Sequence, residues 1–178
     1  MNEEELKLYQ AIGDYAIDNL FWSLTYLTNA LYHTPLKNEA KTKLMGLSRT
    51  YETIILSIYP KDEGQQLVSA MAQNNHLFIQ FVDRLVIGSD QMGAAKQQWL
   101  ENGRQLARLL CGMNSHWKVP EWTAMITHEI DLMDTVATGL ATQKYEVFGN
   151  TVPICKRLAI DMAQYMSVGI IKQGKIAL

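Results

Sequence analysis

The chain has only two cysteines among its 178 residues, and no apolar run approaches the roughly 20 residues that a membrane-spanning helix needs. Cys111 and Cys155 each lie in an apolar stretch with helical spacing. A free thiol packs there as a small hydrophobic group, so we expect both to be reduced. The opening residues, Met1–Glu5, are acidic, whereas a signal peptide starts with positive charge. These features predict a cytoplasmic protein that does not enter a membrane.

The chain also lacks an excess of positive or negative charge. The 18 acidic and 16 basic residues give a net charge of −2 and are spread along the whole chain. The densest basic group is Lys156 and Arg157 with Lys172 and Lys175, which is too sparse for the basic surface that a nucleic-acid-binding domain presents. We therefore expect no nucleic-acid partner.

Strand signals are scarce, because no alternation of apolar and polar residues lasts beyond a few positions. What is present is helical spacing of apolar residues between four prolines, Pro35, Pro60, Pro120 and Pro153, each of which we expect to begin a helix or to end the one before it. The hydrophobic fraction of 48% is ordinary for a globular domain. The sequence predicts a single domain, residues 1–178, that folds as an all-α, antiparallel up-and-down bundle of about six helices.

The bounds of these helices follow from the apolar spacing, each to within about two to four residues. The predicted helices span residues 4–33, 37–58, 61–87, 91–112, 119–142 and 150–172. A weak internal repeat, at an offset of 54 residues, aligns 69–74 in the third helix with 123–128 in the fifth. It predicts that the second and third helices are related to the fourth and fifth as hairpins.

Three polar residues lie on stripes that should face the core. Asn74 lies between Met71 and Phe78 on the apolar face of the third predicted helix. Asn102 and His128 lie on the apolar stripes of the fourth and fifth helices. An unpaired buried amide or imidazole costs on the order of 1 to 3 kcal/mol. We therefore expect a polar layer inside the bundle, which is either a structural hydrogen-bond network or the wall of a small-molecule or metal pocket.

Standard catalytic motifs are absent. No histidine stands three residues after a glutamate, as a carboxylate di-iron bundle requires. His128-Glu129 does not begin a zinc protease motif, because Leu132 stands where the second histidine would be. There is no Cys-x-x-Cys pair, glycine-rich phosphate loop or G-x-S-x-G motif. We predict no catalytic residue, and the absence of these motifs disfavours an enzyme.

The last three predicted helices share a pattern with one known group of proteins. The matching segments are Trp99-Leu100-Glu101-Asn102, Leu106-Ala107, Leu109, Asn114, Trp117, Met125-Ile126-Thr127-His128, Met162–Met166 and Gly169–Gln173. They resemble small, uncharacterised helical-bundle proteins of spore-forming Gram-positive bacteria, some of which are mislabelled as acetylglutamate kinase. The resemblance implies a helical bundle and brings no activity with it.

The same resemblance implies a metal or polar-ligand site, built from histidines in the first, third and fifth helices and an acidic residue in the last. Here only His128 matches that pattern. Asn74 stands at the third-helix histidine, Gln164 replaces the acidic residue, and the first-helix position falls near Thr25. Neutral side chains are weak ligands for a transition metal. A metal is thus implied for the relatives and doubtful here, with His128 as the one plausible ligand, and the cofactor is left open.

Three functions remain open. The first is a non-enzymatic binding module, in which Asn74, Asn102, His128 and Gln164 converge and hold a small polar molecule or a weakly bound cation. The second is a structural or interaction protein, whose polar layer sets the bundle register while an exposed apolar face forms a homodimer or docks a partner. The third is a metal-dependent enzyme, which ranks last because it needs several converging ligands.

Overall fold

The computed structural model describes residues 2–174, and within that range it contains helices joined by short turns and no strand. The all-α bundle predicted from the sequence is confirmed. The helices are α1 (Glu3–Leu31), α2 (Leu36–Thr50), α3 (Glu52–Ile58), α4 (Lys61–Val86), α5 (Met92–Met113), α6 (Val119–Ala141) and α7 (Tyr145–Gln173).

Local sequence explains several helix ends. At the start of α1, the Asn2 Oδ1 accepts from the Glu5 backbone N–H at 2.8 Å, and the Asn2 N–H donates to Glu5 at 2.8 Å, which is a capping box. Pro60 precedes α4 and Pro120 lies in the first turn of α6. Gly88, with φ of +62°, follows α4 in the left-handed conformation that favours glycine. The predicted bounds of α1, α4, α5 and α6 are confirmed to within two residues.

The predicted helix over 37–58 is wrong in one respect, because the chain breaks at Tyr51 into α2 and α3. Tyr51 has φ of −98° and ψ of 3°. Its ring packs edge-on against Tyr15, with ring centroids 5.2 Å apart, and its hydroxyl donates to Asp18 at 3.1 Å. No proline or glycine marks the break, so contacts with α1 hold a bend that local sequence does not signal.

The predicted start of the last helix is also wrong, since α7 begins at Tyr145 and runs through Pro153. A proline inside a helix has no N–H to donate to the carbonyl four residues earlier, here that of Gly149. The loss is tolerated because α7 packs along its length against α6 and α1. Tertiary packing outweighs the local penalty.

The helices form a ring around a shared centre. α1, α4 and α6 contact one another and surround the axis of the bundle, and we call them the inner helices. The outer helices fill the grooves between them: α2 between α1 and α4, α5 between α4 and α6, and α7 between α6 and α1. The contact of α7 with α1 closes the ring. The segments aligned by the predicted repeat lie on α4 and α6, both of them inner helices, and the repeat itself stays a prediction.

Cys111 and Cys155 are free thiols, as predicted. Cys155 is buried, and that burial, with a smaller contribution from the charge of Glu129, raises the pKa of its thiol to about 11. A thiol of this kind is unreactive at neutral pH. None of the helices in residues 2–174 has the length and apolar composition needed to cross a bilayer.

Candidate functional site

A cavity of about 120 Å³ lies in the bundle, walled by α1, α4, α5, α6 and α7. The inner helices supply all of its polar side chains, namely Tyr15, Asn19, Asn74, Glu129 and Trp122, whose Nε1 is buried with no hydrogen-bond partner among the described residues. The outer helices supply only apolar ones, including Leu106, Leu110, Met162, Ala163 and Met166. Each inner helix turns a polar group toward the space where the three helices meet.

Glu129 is the residue that distinguishes this cavity. It lies on α6 in register with Trp122, Ile126 and Met133, at the alternating spacing of three and four residues that defines a core-facing stripe. No described residue donates a hydrogen bond to its carboxylate or forms an ion pair with it. Burial raises the pKa of this carboxyl from its ordinary value of 4.5 to about 7. It therefore titrates near neutral pH.

Beside Glu129 lies a group of polar residues that are paired with one another. The Asn19 Nδ2 donates to the Asn75 Oδ1 at 2.8 Å, and the Asn75 Nδ2 donates to the Leu44 carbonyl of α2 at 3.0 Å. The Tyr15 hydroxyl lies within hydrogen-bond range of both amides. Burial, together with the nearby charge of Glu129, raises the pKa of Tyr15 above its ordinary value, so the phenol is neutral. This polar cluster ties α1, α2 and α4 together.

Asn74 lines the cavity and is held by an aromatic residue of the neighbouring helix. Its Oδ1 accepts from the Trp99 Nε1 at 2.9 Å. Trp99 is buried and packs against Phe78 and Phe81, with ring centroids 5.3 and 5.8 Å away. The Trp99 bond occupies the carbonyl of Asn74 and leaves its amide N–H₂ as a donor on the cavity side.

The four residues predicted to form one polar layer do not converge. Asn74 lines the cavity, as expected. Asn102 is half-buried on α5 away from the cavity, and its Nδ2 is buried with no hydrogen-bond partner among the described residues. His128 and Gln164 are exposed. The prediction is therefore wrong for His128 and Gln164, and Asn102 does not join Asn74.

A shift in helical phase explains the error at α6. The predicted stripe ran through Met125, His128 and Leu132, but the buried stripe runs through Trp122, Ile126 and Met133. One residue along a helix turns the side chain by about 100°, which takes His128 to the surface and brings Glu129 inside. The sequence did carry a signal, because Glu129 stands at a core position of the 122, 126, 133, 136, 140 spacing.

The metal site implied for the relatives finds no counterpart in the part of the chain that the structure describes. Within residues 2–174, no three histidine, cysteine, aspartate or glutamate side chains come together as a metal-binding group. His128, the one plausible ligand, is exposed, and Glu129 faces the cavity with no second carboxylate or imidazole lining it. These residues do not fit a transition-metal centre.

A second, larger depression of about 820 Å³ lies at the surface, lined by residues of α4, α5 and the start of α2. Its acidic residue is already paired. Asp83 accepts from the Tyr26 hydroxyl at 2.6 Å and lies 3.3 Å from the Lys37 Nζ. The central cavity, with its unpaired carboxyl, is therefore the stronger candidate site.

Comparison with known proteins adds no assignment. The chain matches no protein-family model, no curated protein and no solved structure. The resemblance to the helical-bundle group of spore-forming bacteria stays a prediction from the residues alone.

Proposed function

We propose that this protein is a non-enzymatic binding module that holds a small molecule in the central cavity. The volume of about 120 Å³ is close to that of cavities in which a molecule the size of benzene is bound. The ligand is thus limited to about six non-hydrogen atoms. The module uses Glu129, Tyr15, Asn19 and Asn74 in place of the four predicted residues, of which only Asn74 is retained.

The observation that carries the proposal is the unpaired Glu129 carboxyl on an otherwise largely apolar cavity wall. Glu129 is half-buried, and a carboxyl group that is partly removed from water without a partner lowers the stability of the fold. Side chains with strongly raised pKa values in clefts are concentrated at functional sites. A ligand that pairs with the carboxyl would supply the missing partner.

Asn75, in the polar cluster nearby, is a contrasting case in the same bundle. Asn75 is buried and both its amide oxygen and its amide nitrogen are hydrogen-bonded, to Asn19 and to Leu44. Glu129 has no such bonds among the described residues. The contrast favours a binding role for Glu129 over the structural alternative, in which the polar layer only sets the register of the bundle.

The test is binding of two small neutral compounds, benzene and n-butanol, followed by chemical-shift changes in ¹H–¹⁵N NMR spectra. We expect saturable changes confined to amides around the cavity. In Ala163→Leu, a larger side chain on the α7 wall fills the space, and binding should be lost while the helical circular dichroism is kept.

The matched control is Gln164→Ala, the next residue along α7, whose side chain is exposed. Binding should be unchanged in this variant. If neither these compounds nor a charged compound of the same size binds the wild-type protein, or if Ala163→Leu binds as well as the wild type, the cavity is not a binding site and the polar layer is structural.

A further inference from the structure

We propose that the ligand of this cavity is a small organic cation, a protonated amine whose ammonium group pairs with Glu129 and whose apolar part packs against the methionines of α4 and α7. The inference rests on the proposed function and specifies its ligand class. It follows from the charge, the hydrogen-bonding groups and the apolar wall of the cavity.

The charge of the cavity has one sign. Glu129 is the only lining residue that carries a formal charge near neutral pH, and no lysine, arginine or histidine lines the cavity in the described part of the chain. The other titratable groups packed around it, Tyr15 of α1 and Cys155 of α7, are neutral because burial raises the pKa of each. Neither α4 nor α5 places a titratable group on the wall. An anionic ligand would meet uncompensated repulsion, whereas a cation would neutralise the site.

The polar groups next to Glu129 suit an ammonium donor. The Asn19 Nδ2 is bonded to Asn75, which leaves the Asn19 Oδ1 as an acceptor. The Tyr15 oxygen and the Glu129 carboxylate are further acceptors on the same wall. An ammonium group has three N–H donors and no acceptor, and hydrogen bonds between it and a carboxylate are among the stronger ones in proteins. Asn74 and Trp122, whose Nε1 has no partner among the described residues, contribute only neutral N–H donors, and these do not balance the charge of an anion.

The rest of the wall suits the body of an amine. Met71, Met162 and Met166 line the cavity, and their flexible, polarisable thioethers adapt to a short alkyl chain. Trp122 also lines it, and its large aromatic ring adds apolar surface to the same wall. A body of about four carbons with one ammonium group fills the volume that benzene would occupy.

The experiment compares three compounds of nearly equal size, n-butylammonium, n-butanol and butyrate, by titration calorimetry at pH 8. We expect n-butylammonium to bind at least tenfold more tightly than n-butanol and butyrate not to bind measurably. In Glu129→Gln, which keeps the shape of the side chain, the preference for the ammonium over the alcohol should fall at least tenfold. The matched control, Glu146→Gln, removes the same charge from an exposed position of α7 and should keep the preference.

Lowering the pH from 8 to 5 should weaken n-butylammonium binding about tenfold or more, because Glu129 becomes protonated while the ligand stays charged. Binding of n-butanol should not follow that trend. If n-butanol and n-butylammonium bind equally, or butyrate binds better, the proposed ligand class is wrong although the cavity still binds small molecules. If none of the three binds and benzene does not bind either, the proposed function fails with it.

Discussion

The Glu129 carboxyl lowers the stability of the folded protein whenever it is ionised. Its pKa is about 7 in the folded chain because of burial, against an ordinary value of 4.5. Since each tenfold change in proton affinity is worth ~1.4 kcal/mol, the ionised form costs at most roughly 3 kcal/mol relative to the protonated one, because the side chain is only half-buried. That is a large share of the 5 to 15 kcal/mol typical of a domain. The residue weakens the fold that holds it.

A pH series should reveal this cost. A raised folded-state pKa means that the native protein binds the proton more tightly than the unfolded chain, so stability falls as the pH rises from about 4.5 to about 7 and then levels off. Relative to Glu129→Gln, the wild type should lose up to roughly 3 kcal/mol of unfolding free energy across that window. Urea denaturation at intervals of half a pH unit measures it.

Ile126→Val serves as the control for this series. Ile126 lies on the same cavity wall, and the change removes one methylene without altering charge. We expect it to lower stability by about 1 kcal/mol at every pH. A difference between Glu129→Gln and wild type that stays constant from pH 4.5 to 8 would contradict the assignment of an ionising group to the cavity.

Part of the site was predictable from single residues. Asn74 lies on the broad apolar face of α4, so a small error in helical phase still leaves it inward, and the neighbouring Asn75 is also buried. On α6 the prediction favoured the imidazole of His128 over the carboxylate next to it. Glutamate is rarely removed from water without a partner, and that general rule hid the half-buried Glu129. Tyr15 and Asn19 were missed because no stripe was assigned to the first helix.

At the scale of helices, one close contact joins the turn after α5 to α7. The Trp117 ring is buried and its Nε1 donates to the Tyr165 carbonyl at 3.2 Å. A Cβ atom placed at Gly169 would lie 1.8 Å from that Nε1. The indole therefore packs directly on the backbone of α7 at a position where no side chain fits.

Gly169→Ala should lower the unfolding free energy by about 2 to 3 kcal/mol, because Trp117 must move and lose its hydrogen bond. Gly149→Ala, on the same helix, is the matched control, since a Cβ there meets no atom within 4 Å. It should raise stability by roughly 0.5 to 1 kcal/mol through helix propensity. Chemical denaturation of both variants measures the pair, and equal effects would show that Trp117 does not require the glycine.

Helices were predictable from the sequence where local residues determine them. Helix ends that depend on tertiary contacts were not. Periodic apolar residues, the proline before α4 and Gly88 after it place that helix correctly. The break at Tyr51 depends on contacts with Tyr15 and Asp18 of α1. The run of α7 through Pro153 depends on the packing of its two neighbours. Neither cause is visible in a short stretch of sequence.

In the whole molecule, the inner and outer helices contribute different kinds of side chain to the cavity. The inner helices carry every polar residue of the cavity, and the outer helices complete it with apolar side chains. Substitutions on α7 should therefore change which ligand body fits, while those on α1 and α6 should change its charge preference.

Because α7 packs against α1 and closes the ring, the first and last helices of the bundle lie side by side. At one end of this pair the hydroxyls of Tyr32 and Tyr145 are hydrogen-bonded, and toward the other end Ala11 and Ile170 line the same small pocket. The two helices therefore run antiparallel, with the start of α1 and the end of α7 on one side of the bundle.

A circular permutant, opened at Ser89 between α4 and α5 and joined from α7 to α1 by a short glycine-serine linker, should keep the native helical content and bind benzene. Thermal unfolding followed by circular dichroism should show a single cooperative transition, since no helix pair is separated. A broad, noncooperative transition would mean that folding depends on the covalent continuity of the α4–α5 pair. Retained cooperativity would show that the contacts between helices determine the fold, and that the position of the chain ends does not.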